Sequence, residues 1–186
     1  MKRLEIKQAI AEQVRDIVAL DRLCFGGLWT KEGYLREMDS PNSSILILWL
    51  RETDTFARMI GVGCLWSILE EAHITLLGIH PRYQKQGLGM LLLYSLLQDG
   101  YGRGLARATL EVRVSNAPAI QLYQKFGFKI AGKRRNYYKQ TGEDAFVLWL
   151  SGLDKPDFEK QLNHWQRYIS DRLSANYICP TIQAKN

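Results

Sequence analysis

Between Ile74 and Gln98 the chain sets down three things in order: a strand-like run stopped by Pro81, a short polar turn with two glycines, and a segment with Leu88, Leu91, Leu92 and Leu96 on one helical side. The turn, Gln84-Lys85-Gln86-Gly87-Leu88-Gly89, therefore follows a strand and opens a helix. A helix start leaves about four N–H groups without partners and carries roughly half a positive charge. Glycines at positions 87 and 89 remove the Cβ atoms that would keep phosphate oxygens away from those groups. The spacing is neither the dinucleotide G-x-G-x-x-G nor the P-loop, which needs Lys-Ser/Thr after its last glycine. Two readings stay open at this point, a phosphate-binding turn and a turn that only permits tight strand–helix packing.

The rest of the chain supplies the layers around this unit. Arg3–Lys7 reads as a first strand, and Ala9–Phe25 as a helix with Ile10, Val14, Ile17, Val18 and Leu20 at helical spacing, stopped by Gly26-Gly27. Thr30 is placed to cap a short helix through Met38. Ile45–Leu50 and Met59–Ser67 are strands joined by a polar turn, and Gly100, Gly102 and Gly104 separate the leucine-rich helix from the strand Ala108–Val114. Ser115 or Asn116 caps the next helix, Pro118 sits in its first turn and Gly127 ends it. Phe128–Lys133 and Ala145–Leu150 form a final antiparallel pair, followed by an amphipathic helix over roughly Asp157–Leu173. The order predicts an α/β (α+β) domain with a mixed sheet over 1–150, and a C-terminal helical extension and tail over 151–186.

Composition bounds the function classes. With 46% hydrophobic and 24% charged residues the chain is of ordinary globular type, and its longest apolar run is far below the ~20 residues of a membrane span. The N-terminus lacks the apolar stretch of a signal peptide, so a cytoplasmic protein is expected. Cys24, Cys64 and Cys179 are widely spaced and in no metal-like pairing, which suits buried or incidental thiols. His73, His80 and His164 have no second His or Cys at ligand spacing, so no metal is expected. The net charge of +6 favours a polyanionic partner only weakly, because the basic residues are dispersed apart from Lys129, Lys133, Arg134, Arg135 and Lys139. No membrane partner and no direct nucleic-acid contact are expected.

Three stretches, taken together and in order, carry a resemblance. His80-Pro81-Arg82-Tyr83-Gln84-Lys85-Gln86-Gly87-Leu88-Gly89 resembles the [Q/R]-x-x-G-x-[G/A] signature of the GNAT family of acetyltransferases. Leu110-Glu111-Val112-Arg113-Val114-Ser115-Asn116-Ala117-Pro118, with Leu122-Tyr123 and Lys125-Phe126-Gly127-Phe128, is the second, and Arg134-Arg135-Asn136-Tyr137-Tyr138 the third. The set is similar to the RimI-type branch, which acetylates the N-terminal alanine of a small-subunit ribosomal protein, over about residues 3–150. The resemblance implies a central, mostly antiparallel mixed sheet flanked by helices, and acetyl-CoA as cosubstrate. It assigns the CoA site to Lys85, Gln86, Gly87, Leu88, Gly89 and Met90 on the turn, to Asn116, and to the backbone of Leu77, Gly78 and Ile79. Gly78, mid-strand, also signals a bulge or a close backbone approach.

Acetyl transfer to an amine needs the neutral amine, whereas an α-amino group has a pKa of ~7.7–8.0. A carboxylate within hydrogen-bond reach, directly or through water, can take the proton. Glu111 interrupts an apolar strand pattern and Tyr123 falls on the following helix; the resemblance makes them general base and general acid. The bland alternatives are an edge-strand Glu facing solvent and a Tyr that only packs. Asn116 suits a helix cap as well as a CoA contact. Trp29, Tyr137 and Tyr138 are the candidate substrate-binding residues; the resemblance to protein N-terminal acetyltransferases implies that one of the two tyrosines hydrogen-bonds the substrate backbone, the alternative being an aromatic pair packed on the core. Gly26-Gly27-Leu28-Trp29 departs from the Phe-Pro-Trp type of sequence common in the branch, which bears on the breadth of specificity. The expected acceptor is a protein N-terminus, that of a ribosomal protein. A broader N-terminal or lysine acetyltransferase and a non-catalytic acetyl-CoA-binding protein are the alternatives.

Overall fold

The computed structural model describes residues 2–178. The element order is β1 (Lys2–Gln8), α1 (Val14–Phe25), α2 (Lys31–Asp39), β2 (Ser43–Arg51), β3 (Ala57–Ile68), β4 (Glu71–Ile79), α3 (Leu88–Gly102), β5 (Arg107–Arg113), α4 (Ala117–Lys125), β6 (Lys129–Tyr138), β7 (Glu143–Ser151), α5 (Asp157–Leu173) and β8 (Tyr177–Ile178). Among the described residues one sheet forms, ordered β6-β7-β5-β4-β3-β2-β1-β8. Its pairs are antiparallel except β4 with β5 and β1 with β8.

Both faces of the sheet are covered, which explains why β2 reads as an unbroken apolar run. Alternate side chains point to opposite faces: Ile45 and Ile47 join the core under α1 and α2, while Leu46, Leu48 and Leu50 join the larger core under α3, α4 and α5. The leucine-rich helix is buried on more than the side its spacing announces, with every residue from Met90 to Leu97 inaccessible. The sheet covers one flank, so closely that a Cβ on Gly63 would lie 2.9 Å from Leu96 Cδ1. The amphipathic α5 covers another, inserting Phe158, Leu162, Trp165, Ile169 and Leu173.

Two sequence boundaries shift. Helix α1 begins at Val14, after a short 3-10 turn over Ala11–Gln13, and not at Ala9. Helix α3 runs through Gly100 and Gly102, and only Gly104 (φ +73°) stops it. Gly100 is kept inside because it lets the helix approach the sheet: its Cβ would lie 3.3 Å from Ala72 Cβ. Cys179, and with it the end of the tail, lies outside the described residues.

Candidate active site

The site is opened by a defect in β4. Its pairing with β3 shifts register between Cys64 and Leu65, so that Leu65 faces Ile74 and Cys64 faces Leu76, with Thr75 as the extra residue. A bulge of this kind bends its strand. The ladder to β5 accordingly ends at His73–Thr109, although β4 continues to Ile79 and β5 to Arg113. The strands diverge around a cleft of about 810 Å³. Leu77, Gly78 and Ile79 line one wall, and Glu111, Asn116, Tyr123, Tyr137 and Tyr138 line the others. The bulge belongs to Thr75. The absence of a side chain at Gly78 has a different reason, since a Cβ there would lie 2.5 Å from Phe25 Cζ and 3.0 Å from Cys24 Cβ at the end of α1.

Strand β5 lies inside the sheet, which removes the edge-strand alternative for Glu111. Its side chain is 10% exposed and meets two basic side chains at the cleft: Oε2 lies 2.7 Å from His73 Nε2, and Oε1 3.1 Å from Arg134 Nε. The hydrogen bond from His73 is the main cause of a carboxyl pKa below the usual range; burial opposes it, and the charges of His73 and Arg134 add to the lowering. Glu111 is therefore a carboxylate at neutral pH. Tyr123 is buried against Phe128, with ring centroids 5.8 Å apart, and burial pushes its phenol well above its ordinary pKa. Tyr123 is therefore a neutral phenol at neutral pH: it carries a proton to give, and burial makes it a weaker acid than a free tyrosine.

His73 was passed over in the sequence because it lacks a ligand-spaced partner; its partner is carried by another strand, 38 positions on. The only sequence signal for the pair was two polar residues in strands that the same helix connects.

The opposite lip is organised by Asp21, also missed. This fully buried carboxylate accepts from Leu28 N (2.8 Å), Trp29 N (2.9 Å) and the Tyr34 hydroxyl (2.9 Å), and so folds Gly26–Trp29 back on α1. Trp29 does not line the cleft; it stacks on Trp66, which does, with ring centroids 5.9 Å apart, and Trp66 meets His73 edge-on. Cys24 lines the same lip, and burial lifts its thiol to about 11, so it stays protonated at neutral pH, as suits an incidental thiol.

Tyr137 and Tyr138 reach the mouth from an arch in β6. Arg134 faces Ala145 and Tyr138 faces Glu143, so three residues of β6 span one of β7. Asn136 takes φ +49° there, its N–H donating to Asp144 Oδ1 at 2.8 Å. Arg113 lies 3.8 Å above the Tyr138 ring and 3.1 Å from Glu143, which also accepts from Ser115 N at 3.0 Å. The arch is thus tied to the turn before α4. In that turn Asn116 acts as the N-cap, accepting from Ala119 N at 3.3 Å.

The glycine turn begins at Gln84, which lines the cleft, whereas Lys85–Met90 lie beyond the cleft's lining. Gln84 Nε2 donates to Ile79 O (3.0 Å), Lys85 has φ +61° and Gly87 φ +85°. Leu88 and Met90 are buried, so the stretch from Gly87 to Met90 offers backbone and not side chains. Unlike α2 and α4, helix α3 has no side-chain N-cap. Its uncapped N–H groups fit a bound phosphate, and the diverging β4 and β5 leave edge amides and carbonyls for an extended amide chain such as pantetheine. Among the described residues no cluster of His, Cys, Asp or Glu is arranged to hold a metal ion, and no helix is long and apolar enough to cross a membrane.

A bulged strand parted from its neighbour and leading into an uncapped glycine turn fits an extended cosubstrate that carries a phosphate at one end. Residues 14–128 match the model of the acetyltransferase (GNAT) family, and the chain belongs to that family. It is an acetyltransferase closely related to the bS18-alanine N-acetyltransferases. The relatives include the [ribosomal protein bS18]-alanine N-acetyltransferase of Escherichia coli (strain K12), 47% identical over 85 residues, which are 45% of this chain and 57% of that one. A Bacillus subtilis (strain 168) protein, assigned provisionally to the same activity, is 34% identical over 141 residues, 75% of this chain and 90% of that one. Among solved structures, the ribosomal-protein-S18-alanine N-acetyltransferase from Escherichia coli superimposes with a TM-score of 0.69 at 29% identity, covering 80% of this chain and 93% of that one.

Proposed function

We propose that this protein transfers the acetyl group of acetyl-CoA to the N-terminal α-amine of a protein, the N-terminal alanine of the small-subunit ribosomal protein bS18. The observation that carries the chemistry is the ionised Glu111, held by His73 at 2.7 Å in the wall of the cleft. In this reading the pyrophosphate lies on the turn from Lys85 to Met90, the pantetheine along Leu77–Ile79, and Asn116 turns its remaining polar atoms to the CoA. Glu111 removes a proton from the incoming ammonium group, directly or through one water. The free amine attacks the thioester carbonyl, the C–S bond breaks, the Tyr123 phenol protonates the departing thiolate, and the second proton shed by the nitrogen as the amide forms restores the phenol. Tyr137 and Tyr138 hold the substrate backbone under the β6 arch, and Trp29 acts from behind Trp66. The transferase unit comprises residues 1–150, with 151–186 as an extension, and it works in the cytoplasm.

The acceptor is inferred from the names of the relatives. The test is intact-mass analysis of bS18 after incubation with enzyme and acetyl-CoA, beside peptides that begin with Ala, Ser or Met and one with only an internal Lys. One added acetyl group at the Ala N-terminus is expected. Equal use of the three N-termini would support the broader N-terminal enzyme, reaction at the internal Lys alone would overturn the proposal, and CoA binding without turnover would favour the non-catalytic alternative.

A further inference from the structure

Helix α5 and strand β8 lie beyond the residues that the family model covers, yet they reach the glycine turn. Helix α5 begins beside the end of α3, where Phe158 meets Tyr101 with ring centroids 5.8 Å apart. It ends beside the start of α3: a Cβ on Gly87 would lie 3.2 Å from Arg172 Nε and 3.3 Å from Leu173 Cδ2. Just beyond, the buried Tyr177 donates its hydroxyl hydrogen to Gln86 Oε1, while Gln86 Nε2 donates to Arg82 O at 3.3 Å. Strand β8 then pairs with β1.

Arg172 is exposed and makes no ion pair among the described residues; nor do Arg82 and Lys85 of the turn itself. At the C-terminus of its own helix a cation is favourable. Beside the start of α3 it is not, because the free N–H groups already make that end positive. The arrangement is balanced once an anion joins it. We propose that Arg172 is a phosphate-binding residue of the CoA site, supplied by the C-terminal extension; this rests on the reading of the glycine turn as the pyrophosphate loop. CoA carries two such groups, the pyrophosphate and the ribose 3′-phosphate, and Arg172 engages one of them while Tyr177 holds the turn through Gln86.

The test is calorimetric titration of the full chain with CoA and with 3′-dephospho-CoA, in wild type, Arg172→Gln, Arg172→Lys and Gly89→Asp. Loss of one charge-assisted contact weakens CoA binding by about tenfold in Arg172→Gln. Arg172→Lys recovers part of it, and the deficit shrinks at high salt. In turnover the KM for acetyl-CoA rises while kcat at saturation is kept. An equal deficit for both ligands assigns the contact to the pyrophosphate, and a deficit confined to CoA assigns it to the 3′-phosphate; either supports the proposal. Wild-type affinity in Arg172→Gln overturns it, and if Gly89→Asp abolishes binding at the same time, the loop reading survives alone. A wild-type chain that binds no CoA overturns both. A loss that comes with a lower melting midpoint and is not recovered by Lys makes Arg172 a buttress and also overturns it.

Discussion

Glu111 is held ionised and His73 is what holds it, so the two make separable predictions. Glu111→Gln keeps the shape of the cleft and removes the proton acceptor; kcat should fall by roughly 10²–10⁴ while the affinity for CoA stays at the wild-type value. Unchanged turnover would remove Glu111 from the chemistry. His73→Phe removes the chief cause of the lowered carboxyl pKa and leaves the burial that opposes it. The acid limb of kcat/KM against pH should therefore move to higher pH. The sign for stability is the same as for any depressed carboxyl: the contribution of Glu111's lowered pKa is present above the ordinary carboxylate range and is lost as pH falls through the depressed value. An acid limb that stays in place would mean that Glu111 is not the group titrating.

At the scale of elements, the substrate lip depends on one carboxylate that the sequence did not single out. Asp21→Ala would leave two backbone N–H groups and the Tyr34 hydroxyl without their acceptor, Tyr34 being fully buried. A cost of about 2–4 kcal/mol is expected, read as a lower melting midpoint together with faster amide exchange at Leu28 and Trp29. Exchange that stays slow at both amides would show that α1 and α2 hold the lip without Asp21. The β4 bulge at Thr75 has the same character: a local irregularity in one strand decides where two neighbours part, and so where a cosubstrate can enter.

Over the whole molecule, α5 is not a loose appendage. Phe158, Leu162, Trp165, Ile169 and Leu173 are buried in the same core as α3 and α4, with Trp165 4.7 Å from the Phe126 ring. Burying each is worth about 1.5–3 kcal/mol, which together approaches the ~5–15 kcal/mol net stability of a typical domain. A chain ended after Gly152 should aggregate or melt at a much lower temperature than the full chain. If it keeps the full melting midpoint, the extension is dispensable to the fold.

The local grammar of the chain was sufficient for most of its elements, though not for the start of α1, the end of α3 or strand β8. Thr30, Asn116, Pro118, Gly26 and Gly127 mark helix ends because capping and left-handed backbone are properties of single residues. Spacing alone also marked α5, and the motifs around Gln84–Gly89 and Glu111–Tyr123 pointed to the family that the fold bears out. Other features were decided only by tertiary structure. Gly100 reads as a break but stays helical, because there α3 is gripped between Ala72 and Leu65 of the sheet and Leu153. Gly78 is required by the Phe25 ring, a neighbour distant in sequence. Glu111 became a shielded carboxylate only when parallel pairing brought His73 beside it and the edge strand carried Arg134 across. Each of these depends on which strand lies next to which, and side-chain spacing along one segment carries no record of that.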